Sequence, residues 1–312
     1  ITAYGDIQMA VDAMKNGAHD FLSKPIQFNQ LEQSLKRATE VIAMRQELEH
    51  LRRTQYQQVK FIVGKSTEMR NVVTLADRAA SAGVSVLITG ETGTGKDVLA
   101  QYIHRNSPRA NKPFIAINCA AIQPTLLESE LFGYESGAFS GAEKRKHGLM
   151  EVADGGILFL DEISSMSPDI QAKLLRAVEE RAFRRVGGTN LLKVDVQILA
   201  ASNRDLKILI KENQFREDLY YRLKVLDLHI PPLRERKSDI PEFVGFFIRQ
   251  HNAGMGVNVQ DVSSGALHSL MDYLWPGNIR QLNHAIEHAV LLCDGDVIEP
   301  AHLPREILNP PQ

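Results

Sequence analysis

The sequence has little cysteine, no long apolar run and no excess charge of either sign. Only two cysteines occur, Cys119 and Cys293, far apart and without C-x-x-C spacing. That leaves no disulfide framework and reads as two buried thiols in a reducing compartment. No apolar stretch reaches the roughly 18 residues of a membrane span. No basic-then-apolar start marks secretion. The cytoplasm is therefore the expected location, with no membrane partner. A net charge of −2 gives no global basic footprint, so nucleic-acid contact would need a local patch or a separate domain. An initiating Met is also missing. The chain opens with Ile1 inside what reads as a structured unit, as expected of a piece of a longer protein.

What is there suits a soluble globular protein. The 312 residues are enough for two or three domains, and 44% hydrophobic with 24% charged residues is ordinary for a globular core and its surface. In residues 1–27, Ile7, Ala10, Val11 and Met14 recur at helical spacing. Gly17 stops that helix, and Phe21-Leu22 reads as a short strand before Lys24-Pro25. Residues 28–57 read as a linker helix striped by Leu31, Leu35, Ala38 and Ile42. It is either a short coiled coil or a helix lying on its own domain.

From residue 58 to 233 the pattern is α/β. Short runs rich in Val, Ile and Leu, at 84–89, 114–118, 157–160, 194–201 and 225–230, alternate with helical stretches. That predicts a parallel sheet buried on both faces. Beyond Pro231-Pro232 the strand signal stops. Residues 234–305 read as a helical domain, and 306–312 as an unstructured tail.

Two motifs carry chemistry. Gly90-Glu91-Thr92-Gly93-Thr94-Gly95-Lys96 fits G-x-x-x-x-G-K directly after the 84–89 strand and before a helix starting near Asp97. Its glycines permit tight turns whose N–H groups meet phosphate, and the helix start adds a favourable dipole. Lys96 can reach the β and γ phosphates of ATP. Asp97 stands where Ser or Thr usually offers Mg2+ a hydroxyl, and it could bind the metal directly or through water. The second motif is the apolar run 157–160 ending in Asp161-Glu162. It presents Asp161 to Mg2+ and Glu162 to the attacking water as a base. Asn203 and Asn118 fall at strand ends. The first could orient water and the second could hydrogen-bond Glu162, or either could be a plain turn residue. His284-Ala-Ile-Glu287-His288 matches a zinc-protease pattern but offers no clear third ligand, and reads as the polar face of a helix.

Between the ATP motifs lies Gly137-Ala138-Phe139-Ser140-Gly141-Ala142. It resembles the G-A-F-T-G-A loop of the bacterial sigma-54-dependent transcriptional activators. Gly90-Glu-Thr-Gly-Thr-Gly-Lys-Asp97, Asn118-Cys-Ala-Ala121, Phe215-Arg-Glu-Asp-Leu-Tyr-Tyr-Arg-Leu223 and Trp275-Pro-Gly-Asn-Ile-Arg-Gln-Leu282 agree with it. The resemblance spans roughly residues 61–305. It implies an AAA+ ATPase that forms a ring, hexameric or heptameric, from an inactive dimer. It also implies that loop 137–142 contacts sigma-54 and remodels the closed promoter complex. An acidic residue at position 97 is then a family trait. Arg216 and Arg222 match arginines inserted into the neighbouring subunit's site, Arg280 matches the sensor arginine of the lid, and Val63 and Gly64 join the nucleotide-binding set. Ser140 departs from the usual Thr: it keeps the hydroxyl and loses a methyl.

Thr2-Ala-Tyr-Gly and Gly17-Ala-His-Asp-Phe-Leu-Ser-Lys24-Pro25 look like the end of a two-component receiver, through which a sensor kinase would act. DNA is expected to be contacted only through a C-terminal domain outside this sequence. The rival readings are an AAA+ remodeller of another protein and a nucleotide-binding regulator without turnover.

Overall fold

The computed structural model describes residues 61–139 and 141–309, together with 22, 24–26 and 31. The remaining readings on residues 1–60, the receiver remnant and linker helix, lie outside the described residues, as does Ser140. The chain divides into residues 1–60 and 61–312. The second unit carries both ATP motifs and the loop 137–142.

Its centre is a five-stranded sheet of β1 (Val86–Thr89), β2 (Phe114–Asn118), β3 (Ile157–Asp161), β4 (Gln197–Ser202) and β5 (Leu226–His229). The order is β2-β3-β4-β1-β5 and every pairing is parallel. Parallel strands need crossovers, and crossovers cover both faces. Side chains therefore alternate between two cores. Val86, Ile88, Ile157, Phe159, Leu199 and Ala201 meet α1 (Thr67–Ala82) and α2 (Lys96–Arg105). Leu87, Leu158, Leu160, Ile198 and Ala200 meet α3 (Pro124–Phe132), α4 (Pro168–Glu180) and α5 (Glu217–Leu223). The 194–201 run is a strand only from Gln197, because Leu192-Lys193 turns away to pair with Ala182-Phe183 in a separate hairpin.

A helical lid comes next, with α6 (Ile240–Met255), α7 (Ser264–Asp272) and α8 (Asn278–Leu292) around a third core that buries Trp275 completely. The Trp275 indole N–H donates to the Leu270 carbonyl at 2.8 Å. Two features differ from the expected all-helical lid and tail. Asp261-Val262 and Val297-Ile298 form a small parallel pair, too short to show a periodic signal. Residues Arg305–Leu308 make a helical turn because Ile307 is buried in the lid core. The thiols also differ from one another: Cys119 is buried, while Cys293, just past the end of α8, is only half-buried.

The lid is bonded to the sheet domain. The fully buried Asp239 accepts the Lys65 and Ser66 N–H groups at 2.6 and 2.7 Å and the Ser66 hydroxyl at 2.7 Å. A lid carboxylate thus caps α1, where negative charge is favourable.

Candidate active site

In the strand order, β4 lies between β1 and β3. The loops leaving the three strands therefore emerge side by side at the carboxyl edge of the sheet, where open parallel sheets bind ligands. They carry Gly90–Lys96, Asp161-Glu162 and Asn203. Asn118 ends β2 one strand further out.

The loop after β1 closes on itself. Thr94 donates its hydroxyl to the Glu91 carbonyl at 2.8 Å, and the Lys96 ammonium donates to the Gly90 and Glu91 carbonyls at 2.9 and 3.0 Å. Gly90, Gly93 and Gly95 all have positive φ, which explains the glycines. Burial pushes the Lys96 ammonium below its ordinary value, partly offset by Asp161, Glu162 and Asp97 and reinforced by Arg280. Burial likewise holds the Asp161 carboxyl above the usual range, against the Glu162 N–H and Lys96. Lys96, Asp161, Glu162, Asp97 and Arg280 thus share one electrostatic site. It suits a polyanion with a cation: Mg2+ typically takes one or two carboxylates and completes its shell with phosphate and water. Glu162 has φ 51°, a left-handed conformation that costs a non-glycine residue.

The two asparagines sit differently from the simplest expectation. Asn118 turns to Asp161, not Glu162: its amide reaches Asp161 at 3.5 Å while its oxygen accepts the Ala120 and Ala121 N–H groups. Asn203 donates to the Thr92 hydroxyl at 3.1 Å, tying β4 to the phosphate loop. Gly64, at φ 77°, lies against Asp239, whose carboxyl carbon is 2.3 Å from where a Cβ would stand, so no side chain fits there. Val63 beside it is half-buried.

Arg216 and Arg222 are not among the charges that weigh most on Lys96 or Asp161. Both lie exposed at α5. Arg216 is forked onto Asp218 at 3.0 and 2.7 Å, and Arg222 reaches the Val178 carbonyl at 3.5 Å. His288 contacts the His302 carbonyl at 3.1 Å, and among the described residues no cluster of three or more His, Cys, Asp or Glu is placed to hold a metal.

Loop 137–142 leaves a small two-stranded pair that is bridged to Val186. Gly133-Tyr134 pairs with Lys146-His147 on one side and bridges Val186 on the other. The Gly137 N–H donates to the Ala142 carbonyl at 2.8 Å and closes the loop's neck. Phe139 is 46% exposed and meets the edge of Tyr134, with ring centroids 4.9 Å apart. Below the neck, Arg185 bonds Glu151 at 2.9 and 2.6 Å and Glu135 at 2.5 Å.

Arg234, Arg236 and Asp239 at this site carry no sequence signal of their own, and Asn278 lies inside the Trp275–Leu282 motif, which assigns it no role. Arg236 is 2% exposed and donates to the Thr94 carbonyl at 3.0 Å. Its burial lowers its pKa to about 10.

Comparison with known proteins agrees with this geometry. Residues 62–229 match the sigma-54 interaction domain and residues 234–312 the AAA+ ATPase lid domain. The regulatory protein AtoC of Escherichia coli K12 is 43% identical over 99% of this chain and 68% of its own length. The transcriptional regulatory protein FlbD of Caulobacter vibrioides is 45% identical over 94% of this chain and 61% of its own. The crystal structure of NtrX from Brucella abortus in complex with ATP matches at TM-score 0.75 and 36% identity, over 98% of this chain and 67% of that one. The chain thus spans about two thirds of the length of these relatives.

Proposed function

The chain belongs to the sigma-54-dependent activators of the AAA+ class, and on that premise we propose that it hydrolyses ATP and uses the cycle to remodel sigma-54 through loop 137–142. The observation that carries this reading is the convergence of Lys96, Asp161 and Glu162 at one sheet edge, with an exposed aromatic on a separate loop.

Gly90–Lys96 cradles the phosphates by backbone N–H groups, and Lys96 exchanges its two carbonyl contacts for phosphate oxygens. Asp161 would hold Mg2+, with Asp97 nearby as a candidate further ligand. When bound, the metal neutralises charge between the β and γ phosphates. Glu162 accepts a proton from the attacking water. Asn203, bonded to Thr92, keeps the water side of the site in register with the phosphate loop. Asn118 steadies Asp161. Arg216 and Arg222, both exposed at α5, complete a neighbour's site in a ring. Val63 and Gly64 border the base, and Arg280 reads the nucleotide from the lid. Regulation by a kinase through an N-terminal receiver fits the relatives' description as regulatory proteins.

Glu162→Ala should abolish phosphate release while nucleotide stays bound; near-normal turnover of this variant removes the base assignment. Phe139→Ala should spare ATPase and lose sigma-54 binding in the presence of a transition-state analogue. Open-complex formation by that variant would rule the loop out.

A further inference from the structure

The lid holds the phosphate loop by four consecutive residues. The Glu91 carboxylate takes a two-pronged bond from Arg234 at 2.7 and 2.9 Å and a third bond from the Asn278 amide at 3.1 Å. The same amide donates to the Thr92 carbonyl at 3.1 Å. The Gly93 carbonyl accepts the Ile279 and Arg280 N–H groups at 2.9 and 3.3 Å, so the loop supplies partners to the otherwise unpaired first turn of α8. The Thr94 carbonyl takes Arg236.

Asn278 is the hub. It is fully buried, has φ 51°, and its oxygen accepts the Leu233 N–H at 2.7 Å where the chain passes from sheet domain to lid. Its side chain thus spends both amide hydrogens on the phosphate loop and its oxygen on the domain junction. Contact is close enough that a Cβ on Gly93 would fall 2.3 Å from the Gly277 carbonyl oxygen. Trp275, three residues before Asn278, is also left-handed, with φ 53°, and has no exposure. Asn visits this region readily, but Trp275 does so only because the surrounding core holds it there.

We propose that Arg234 and Asn278 are positioning residues that fasten the phosphate loop to the lid through Glu91, so that loop and α8 move as one body. Nothing in the fastening uses nucleotide. A shift of the loop on phosphate therefore carries Arg280 with it directly, without waiting for Arg280 to find the ligand. The inference rests on the nucleotide-binding reading for its purpose, while the fastening itself is testable without nucleotide.

The test is hydrogen exchange on the full chain, with ADP and without it, resolved at the Ile279 and Arg280 amides. Arg234→Gln should speed exchange at these two positions about fivefold, the most an exposed forked ion pair is usually worth. Arg234→Lys, which keeps charge and loses the fork, should fall between. The β3 amides and the emission of Trp275, the sole tryptophan, should not change. In steady state the KM for ATP should rise by more than kcat falls. Unchanged exchange at 279–280 overturns the proposal, and so does acceleration of equal size across β3, which marks general loosening. Asn278→Ala is the stronger variant, but its buried site makes Arg234→Gln the deciding one. A wild-type chain that neither binds nor hydrolyses nucleotide would sink the functional reading and leave the nucleotide-free exchange to judge the fastening.

Discussion

Glu162 and Glu151 are two glutamates in opposite settings. Glu162 sits at φ 51° beside a carboxylate whose pKa burial has raised. A left-handed non-glycine residue costs roughly 1–3 kcal/mol, which the surrounding structure must supply. Glu151 is a structural anchor. Burial pushes its pKa up, yet hydrogen bonds from Arg185, His147 and the Gly148 N–H outweigh that and bring it down to about 2 from an ordinary 4.5. Because the folded value is the lower one, the stabilisation is fully present above about 4.5 and is lost as pH falls from there towards about 2. Urea midpoints measured across that window should drop more steeply for the wild type than for Glu151→Gln. Equal slopes would mean the Arg185 network contributes no pH dependence. Lys96, Asp161 and Glu162 were readable in the sequence because each lies within a few residues of an apolar strand that fixes its place. The contacts of Asn278, Arg234 and Asp239 were not, since their partners lie 187, 143 and 173 residues away.

At the scale of elements, loop 137–142 depends on its neighbour hairpin. Gly187 has φ 73°, and a Cβ there would stand 2.7 Å from the Ala138 Cβ. Gly187→Ala therefore strains its own backbone and pushes on the loop's neck together. The expected result is weaker sigma-54 capture with ATP turnover kept, read by pull-down and phosphate release on one preparation. Retained capture would mean that the loop tolerates displacement at its base. The sheet itself was legible as five apolar runs, because strands buried on both faces need continuous hydrophobicity. Their ends were less so. Val194 and Val196 are apolar enough to continue β4, but the hairpin at 182–193 claims the chain just before them.

For the molecule as a whole, the exposure of Arg216 and Arg222 at α5 makes the trans role proposed for them testable by concentration. If each site needs an arginine from another copy, specific ATPase activity should rise with protein concentration and level off once rings have formed. A specific activity that stays flat on dilution would put the arginines out of the reaction. An Arg216→Ala chain mixed with a Glu162→Ala chain should recover some turnover, since intact sites form where an unaltered Glu162 faces an unaltered Arg216. The lid belongs to this scale too. Its helices were visible in the sequence, but its grip on Glu91–Thr94 comes from packing that no local pattern records.

The placing of β4 also dictates when the protein can first work. β1 pairs only with β4 and β5, and β3 reaches β1 only across β4. During synthesis, a chain grown as far as Glu162 already contains the phosphate loop and both carboxylates, yet β1 has no partner strand. The phosphate loop and the carboxylate pair wait as strangers until Gln197–Ser202 has left the ribosome. The fastening by Asn278 comes later still. A nascent chain therefore holds Gly90–Lys96, Asp161 and Glu162 long before the sheet can bring them together.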